Sequence, residues 1–240
     1  MQALTDNDLR FVLQRLPKDI RQLLTEHAGQ LYLGGGFVRA TIAGEVPSDI
    51  DLFGANKALV DSIATILSSR RPGSRLHRTD NAITLLTPER MPVQFITRWT
   101  FESAQALVDS FDFTVCQTAI WRSGNQPNSR WESARGDQFY TDLAGRRLVY
   151  TSPVREEEAG GSLLRVIKYV KRGYTIQVSS LGNVVARLAW KVRESKLAQT
   201  EEGFGTVLGG LLREVDPLLV IDGFDVVEDH EPAPTAEGEQ

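Results

Sequence analysis

Along its first sixty residues the chain alternates helical and extended spacing. Leu9, Val12, Leu13 and Leu16 recur at helical intervals behind Thr5, whose hydroxyl suits an N-cap. Pro17 opens a second helix that turns Ile20, Leu23 and Leu24 inward until Gly29 stops it. Leu31-Tyr32-Leu33 is then an apolar run ending in Gly34-Gly35-Gly36, and Phe37 to Ala43 returns to helical spacing before Gly44. This pattern predicts strand, tight turn, helix. Pro47 hands the chain into a second strand, Ser48-Asp49-Ile50-Asp51-Leu52-Phe53, where a period of two puts Asp49 and Asp51 on one face and Ile50 on the other.

The remaining elements follow the same two periods. Asn56 to Ser69 reads as an amphipathic helix with Leu59, Ile63, Ile66 and Leu67 on one face, leading into a basic loop with Arg70, Arg71, Arg75, His77 and Arg78. Ala82–Leu86 and Val93–Thr97 are β-rich runs joined as a hairpin by residues 87–92. Phe101 to Ser110 is a helical link, and Ser123 to Gln138 a polar loop or ragged hairpin. Ser162 to Gly173 and Ser180 to Lys196 are helical, the second with Leu181, Val184, Val185, Leu188 and Val192 inward. A short helix over Val207–Val215 precedes the run Pro217-Leu218-Leu219-Val220-Ile221, and residues 228–240 are acidic, nearly devoid of apolar side chains and expected to be disordered.

Composition narrows the classes. At 240 residues the chain has room for a catalytic head and a small appendage, and its net charge of −4 argues against a surface coated for nucleic acid, so a polyanion would need a local patch. One cysteine, Cys116, excludes an intrachain disulfide and sits in an apolar run that suits a buried thiol better than a nucleophile. The three histidines, His27, His77 and His230, lack metal-ligand spacing, which argues against zinc. Asp6 and Asp8 stand where a signal peptide carries positive charge, and no apolar run approaches the ~18 residues of a membrane span, so the expectation is a soluble, cytoplasmic protein with no membrane partner.

Chemistry concentrates at the glycine turn. Glycine allows a sharp turn whose N–H groups point at a ligand, and two carboxylates on one face of the next strand suit Mg²⁺. Gly35-Gly36-Phe37-Val38-Arg39 followed by Asp49-Ile50-Asp51 resembles the signature of the DNA polymerase β-like nucleotidyltransferases, and within them the CCA-adding enzymes and bacterial poly(A) polymerases. Asp112-Phe113-Thr114, Asp142-Leu143, Pro153 and the helix Leu164-Arg165-Val166-Ile167-Lys168-Tyr169 with Gly173-Tyr174 extend the resemblance over about residues 31 to 176. Ala40 stands where the family has Asp, Gln94 where it has a third carboxylate, and Ser110 and Phe111 where it has two arginines. Ala159 and Ser162 replace the Asp and Arg that read the incoming base.

The resemblance implies an α+β fold: a mixed-sheet head with flanking helices over residues 1–155, a helical neck over 156–227 and a disordered tail over 228–240. It implies Mg²⁺ or Mn²⁺ held by Asp49 and Asp51, the catalytic pair, with Gln94 as a neutral third ligand. A nucleoside triphosphate would be contacted by Gly35, Gly36, Arg39, Asp112, Arg165 and Lys168. Two of these carry structural alternatives, a salt bridge for Arg39 and a turn or capping role for Asp112. The stripe Arg165, Lys168, Arg172 also reads as a solvated face. The implied reaction is transfer of a nucleoside monophosphate to a hydroxyl, an RNA 3′ end first among the acceptors, with another nucleotide or a protein hydroxyl also open. The alternative is a nucleotide- or RNA-binding pseudoenzyme on the same fold.

Overall fold

A computed structural model of the chain describes residues 2–124, 129–153, 159–193, 195–196 and 198–213. The apolar run 217–221, the acidic segment 228–240 and Glu158 lie outside the described residues. Contacts divide the chain into two compact units, Met1–Arg155 with Val166–Val184, and Glu156–Arg165 with Val185–Gln240.

The first unit opens with α1 (Asp6–Arg15), whose first turn is closed by the Asp8 N–H donating to Thr5 Oγ1 at 3.2 Å, and α2 (Lys18–Glu26) entered through Pro17. The strands are β1 (Leu31–Gly34), β2 (Ile50–Gly54), β3 (Arg75–Arg78), β4 (Ala82–Leu86), β5 (Val93–Ile96), β6 (Thr118–Ser123) and β7 (Arg130–Arg135). They form one sheet in the order β3-β4-β5-β2-β1-β6-β7, with β2 and β5 parallel and the other neighbours antiparallel. Helix α3 (Gly36–Ile42) joins β1 to β2, α4 (Lys57–Arg70) joins β2 to β3, and α5 (Ala104–Asp109) leads through a 3₁₀ turn at Thr114–Cys116 into β6. Helix α6 (Phe139–Ala144) follows β7. A small parallel pair of β8 (Arg147–Leu148) and β9 (Thr175–Ile176) completes the unit.

Alternation decides what each face of the sheet meets. Leu31, Leu33, Ile50, Leu52, Val93 and Phe95 are all buried on one face, where α4 packs on β2, β4 and β5, and α2 on β1 and β6. The opposite face carries Tyr32, Phe53, Ala119 and Ala134 in a cluster with Phe101, Ala104, Leu107 and Val108, so α5 and its lead-in cover that side. Helix α7 (Ala159–Lys171) and helix α8 (Val178–Arg193) each contribute to both units, and α9 (Glu201–Arg213) belongs to the second.

Four readings of the pattern are corrected. The buried face of α4 is Val60, Ile63, Ala64 and Leu67, so Leu59 and Ile66 flank it: the helix carries two overlapping apolar stripes, and packing on the sheet selects one. Val185 of α8 is 47% exposed, while Val184, Leu188 and Val192 are buried. Helix α9 starts at Glu201, capped by Thr200 Oγ1 accepting from Gly203 N at 3.0 Å; Gly203 and Gly205 mask this start because glycine disfavours helix. The basic loop after α4 is largely the edge strand β3, and three of its arginines are paired: Arg70 with Glu26, Arg78 with Asp61, and Arg71 with Asp19. Of the two readings for 123–138, the hairpin is the one formed, with Trp121 opposite Glu132 and Arg122 opposite Trp131.

The Arg71–Asp19 pair yields a stability prediction. Arg71 has 2% of its side chain exposed and donates to both Asp19 oxygens, at 2.8 and 3.1 Å, while Arg90 adds a third contact at 3.2 Å. Burial raises the Asp19 pKa, but the bonds and charge of Arg71 outweigh it and hold the carboxyl below its ordinary value. A depressed carboxyl contributes stability above the unfolded pKa and loses it as pH falls through the folded one. Asp19→Ala is therefore expected to cost about 2–3 kcal/mol near neutral pH and to make unfolding less steeply dependent on pH below 4, as read by urea midpoints across that range.

Candidate active site

The turn between β1 and α3 is built around Gly35, at φ +69° and ψ −128°, backbone space that glycine enters without the strain a side chain meets. A Cβ on Gly35 would lie 3.1 Å from Phe111 Cε1 and 3.8 Å from Asp51 Oδ2. One on Gly34 would lie 3.0 Å from Phe111 Cζ. The glycines thus let the Phe111 ring and the Asp51 carboxylate approach the turn backbone together. The Gly35 N–H already donates to Thr118 O at 3.3 Å, so Gly35 contributes the turn itself. Gly36, with open space around its Cβ position, is the first residue of α3.

Register assembles a row of side chains across the sheet. Asp51 on β2 is partnered by Gly34 on β1 and by Gln94 on β5, and Gln94 in turn by Thr84 on β4. Partners in register project from the same face, so Asp51, Gln94 and Thr84 share the face on which Gly34 opens space. Asp49 lies two residues before Asp51, in the lead-in to β2, and accepts from Ser48 Oγ at 3.0 Å. Ile50 N donates to Pro92 O at 3.0 Å and holds this lead-in against the β4–β5 hairpin.

Gln94 is 2% exposed, and among the described residues its Nε2 has no hydrogen-bond partner. A buried amide N–H that lacks a partner costs about 1–3 kcal/mol, which an acceptor such as a phosphate oxygen would recover, whereas a cation would meet this amide only through its oxygen. Two carboxylates and an amide are hard oxygen donors of the kind Mg²⁺ and Mn²⁺ take, with further positions left to phosphate oxygens. Among the described residues no group of three His, Cys, Asp or Glu side chains is placed to hold a metal; in this row Asp51 and Gln94 offer one carboxylate and one neutral amide oxygen of the kind a divalent ion takes. Gln94→Glu is accordingly expected to lower the melting temperature in EDTA, by placing a second carboxylate in the row of Asp51, and to regain it on addition of Mg²⁺. A melting temperature that Mg²⁺ leaves low rules Gln94 out of the site.

Arg39 takes the salt-bridge alternative. It is 1% exposed, donates from Nη1 to Glu45 Oε2 at 2.5 Å and to the Tyr174 hydroxyl at 3.1 Å, and stacks over the Tyr169 ring at 4.8 Å. The guanidinium is thus enclosed by these groups, and its Nε has no hydrogen-bond partner among the described residues. Asp112 is 7% exposed and follows α5; its carbonyl accepts from Thr151 N at 2.9 Å, and its carboxylate is near enough to Tyr169 to bear on that hydroxyl. Asp142, part of the family-like segment, is buried and structural, accepting from Thr114 Oγ1 at 2.6 Å and from Arg147 at 2.6 and 2.9 Å.

On α7, Arg165 folds back toward Gly161, whose Cβ would lie 3.2 Å from its Nη2, and Lys168 is half-buried. The stripe divides between the compact units, Arg165 in the second and Lys168 and Arg172 in the first. Sequence reasoning did not find Glu45, Tyr169 and Tyr174 around Arg39, nor the ring of Phe111 against the turn. Glu45, six residues after Arg39 and past a helix-ending glycine, was the available signal for the first of these.

The fold resembles that of CCA-adding enzymes. The Thermotoga maritima CCA-adding enzyme complexed with tRNA superposes with a TM-score of 0.56 at 19% identity, covering 92% of this chain and 54% of that one. CCA-adding enzyme complexes with ATP and with CTP give TM-scores of 0.56 and 0.55 at 21% and 19% identity, each over 92% of this chain and 53% of the other. The chain spans about half the length of these structures, and at such identities the likeness is one of fold. No curated protein matches the sequence. The sequence model of the Gabija anti-defense 2 family matches residues 3–146, and the chain belongs to that family.

Proposed function

We propose that the chain is a divalent-metal-dependent nucleotidyltransferase that moves a nucleoside monophosphate from a nucleoside triphosphate to a hydroxyl, releasing pyrophosphate. The observation that carries this reading is the approach of Asp51 to the Gly35 turn, with Gln94 in register beside it. Asp49 and Asp51 would hold the ion, with the Gln94 amide as a neutral ligand. The ion, when bound, supplies acidity to an acceptor hydroxyl and offsets triphosphate charge. The chain's own part would be to hold Asp51 on a strand and Asp49 in its lead-in, beside a turn that admits phosphate oxygens, with Gly36 at its open side. Asp112 is proposed to orient the ribose, and Lys168 and Arg165 to add positive charge along α7.

An RNA 3′ end leads as acceptor, because one fold neighbour is in complex with tRNA. The family's name states action against the Gabija defence, and we propose that the transfer serves that role in the cytoplasm, where triphosphates are available. Among the described residues no helix is long and apolar enough to cross a membrane. Incubation with each labelled nucleoside triphosphate, Mg²⁺ or Mn²⁺, and either total RNA or Gabija components tests the reading. Label is expected on one acceptor; label on none, with no pyrophosphate released, favours a nucleotide- or RNA-binding pseudoenzyme, the reading that Gln94 and Phe111 support.

Base choice is expected to differ from that of a CCA-adding enzyme. Ser162 is buried and Ala159 has no polar group, so neither offers the charged pair that reads the base in the family. Extension assays on tRNA ending at its discriminator base are expected to show one nucleotide or a mixture. Ordered addition of C, C and A contradicts this.

A further inference from the structure

Tyr169 ties together three segments that sequence reasoning left apart. Its hydroxyl shares a hydrogen bond with Cys116 Sγ at 2.9 Å, its ring lies under the Arg39 guanidinium, and it packs edge-on to Phe113 at 6.2 Å and tilted against Tyr174 at 5.5 Å. Arg39 sits on α3 three residues after Gly36, and its N–H donates to Gly35 O at 3.2 Å. Phe113 follows Asp112 and bridges to Tyr150. A single cage therefore touches the helix that begins at the glycine turn and the segment that carries the proposed ribose contact.

The electrostatics hold this cage in one state. Burial opposes the Arg39 charge, yet its pKa stays above the ordinary value, so the guanidinium remains a cation. Burial first, and then Cys116, push the Tyr169 hydroxyl well up, so it stays neutral. A cation of fixed charge against two aromatic faces and a carboxylate is a rigid anchor, since a guanidinium stacks and forks in ways an ammonium does not.

We infer that Arg39 and Tyr169 are positioning residues for the proposed transfer, setting the glycine turn and Asp112 relative to Asp51 without touching the nucleotide. This rests on the nucleotidyltransferase reading for its kinetic consequence, while its structural consequence stands alone. A direct phosphate ligand and a positioning residue fail differently. Loss of a ligand weakens nucleotide binding and leaves the turn intact, whereas loss of the anchor loosens the turn and lowers turnover with nucleotide KM little changed.

The experiment is hydrogen–deuterium exchange over residues 33–40 alongside steady-state kinetics with the preferred nucleoside triphosphate and Mg²⁺, in full-length wild type, Arg39→Lys, Tyr169→Leu and Tyr174→Phe. Arg39→Lys and Tyr169→Leu are expected to accelerate exchange in that segment and to lower kcat about tenfold to a hundredfold, with KM within about twofold. Tyr174→Phe removes one acceptor of Arg39 and keeps both rings, so it is expected to fold and to show the same two changes in smaller degree if the others do not fold. Unchanged exchange with a raised KM makes Arg39 a ligand and overturns the inference. Unchanged kcat in an active enzyme also overturns it. If wild type transfers nothing, the function reading fails and the exchange result alone decides whether the anchor exists.

Discussion

Asp51→Asn is expected to lower nucleotidyl transfer by about 10³-fold or more while leaving the melting temperature near that of wild type. The carboxylate stands beside the Gly35 turn and is partly exposed, so the core loses little when its charge is removed. What is lost is the anionic oxygen that would hold a divalent ion against triphosphate charge, a term that acts in the transition state and therefore appears in kcat. Asp49→Asn is expected to behave alike, since Asp49 stands two residues before Asp51 in the lead-in to β2. Measuring kcat and thermal melting of both variants separates this from a folding defect. A variant that unfolds early, or turns over near the wild-type rate, contradicts the role.

Gly35→Ala carries the second large effect, and here stability and activity are expected to fall together. A side chain at φ +69° and ψ −128° costs about 1–3 kcal/mol. The added methyl also meets the Phe111 ring at 3.1 Å, tight enough that the ring or the turn must move. Either shift disturbs the spacing between the turn and Asp51, for which about a 10²-fold loss of transfer is expected. Pairing the change with Phe111→Leu relieves the contact but not the backbone strain, so the double variant should recover part of the stability and little of the activity. Urea unfolding and turnover of the single and double variants check this.

Much of the fold around the candidate site was legible because its parts are local. Strand, glycine turn, helix and the Asp49-Ile50-Asp51 alternation lie within about twenty consecutive residues, and each is decided by backbone preference and a period of two. Gln94 was placed on its strand by the same logic, yet its register with Asp51 depends on a parallel pairing across more than forty residues, and the resemblance located it. Arg39 shows where local reading stops. Its partners Tyr169 and Tyr174 lie some 130 residues on, and helical spacing around Arg39 has no trace of them. The edge strand β3 was read as a loop because three of its four residues, Arg75, His77 and Arg78, are polar and exposed, leaving Leu76 alone to mark an inward side. In α4 and α8 the period was read correctly and single positions at the edge of the face were not, since adjacent apolar positions such as Leu59 and Val60, or Val184 and Val185, differ only in what tertiary packing does with them.

The central claim is that Asp49 and Asp51 beside the Gly35 turn support metal-dependent nucleotidyl transfer. Pyrophosphate release by wild type and by Asp51→Asn, measured with each nucleoside triphosphate and candidate acceptor in Mg²⁺, in Mn²⁺ and in EDTA, tests it most directly. Release by wild type that needs the metal and disappears in the variant is the result predicted; no release by wild type under any condition, or equal release by the variant, contradicts it.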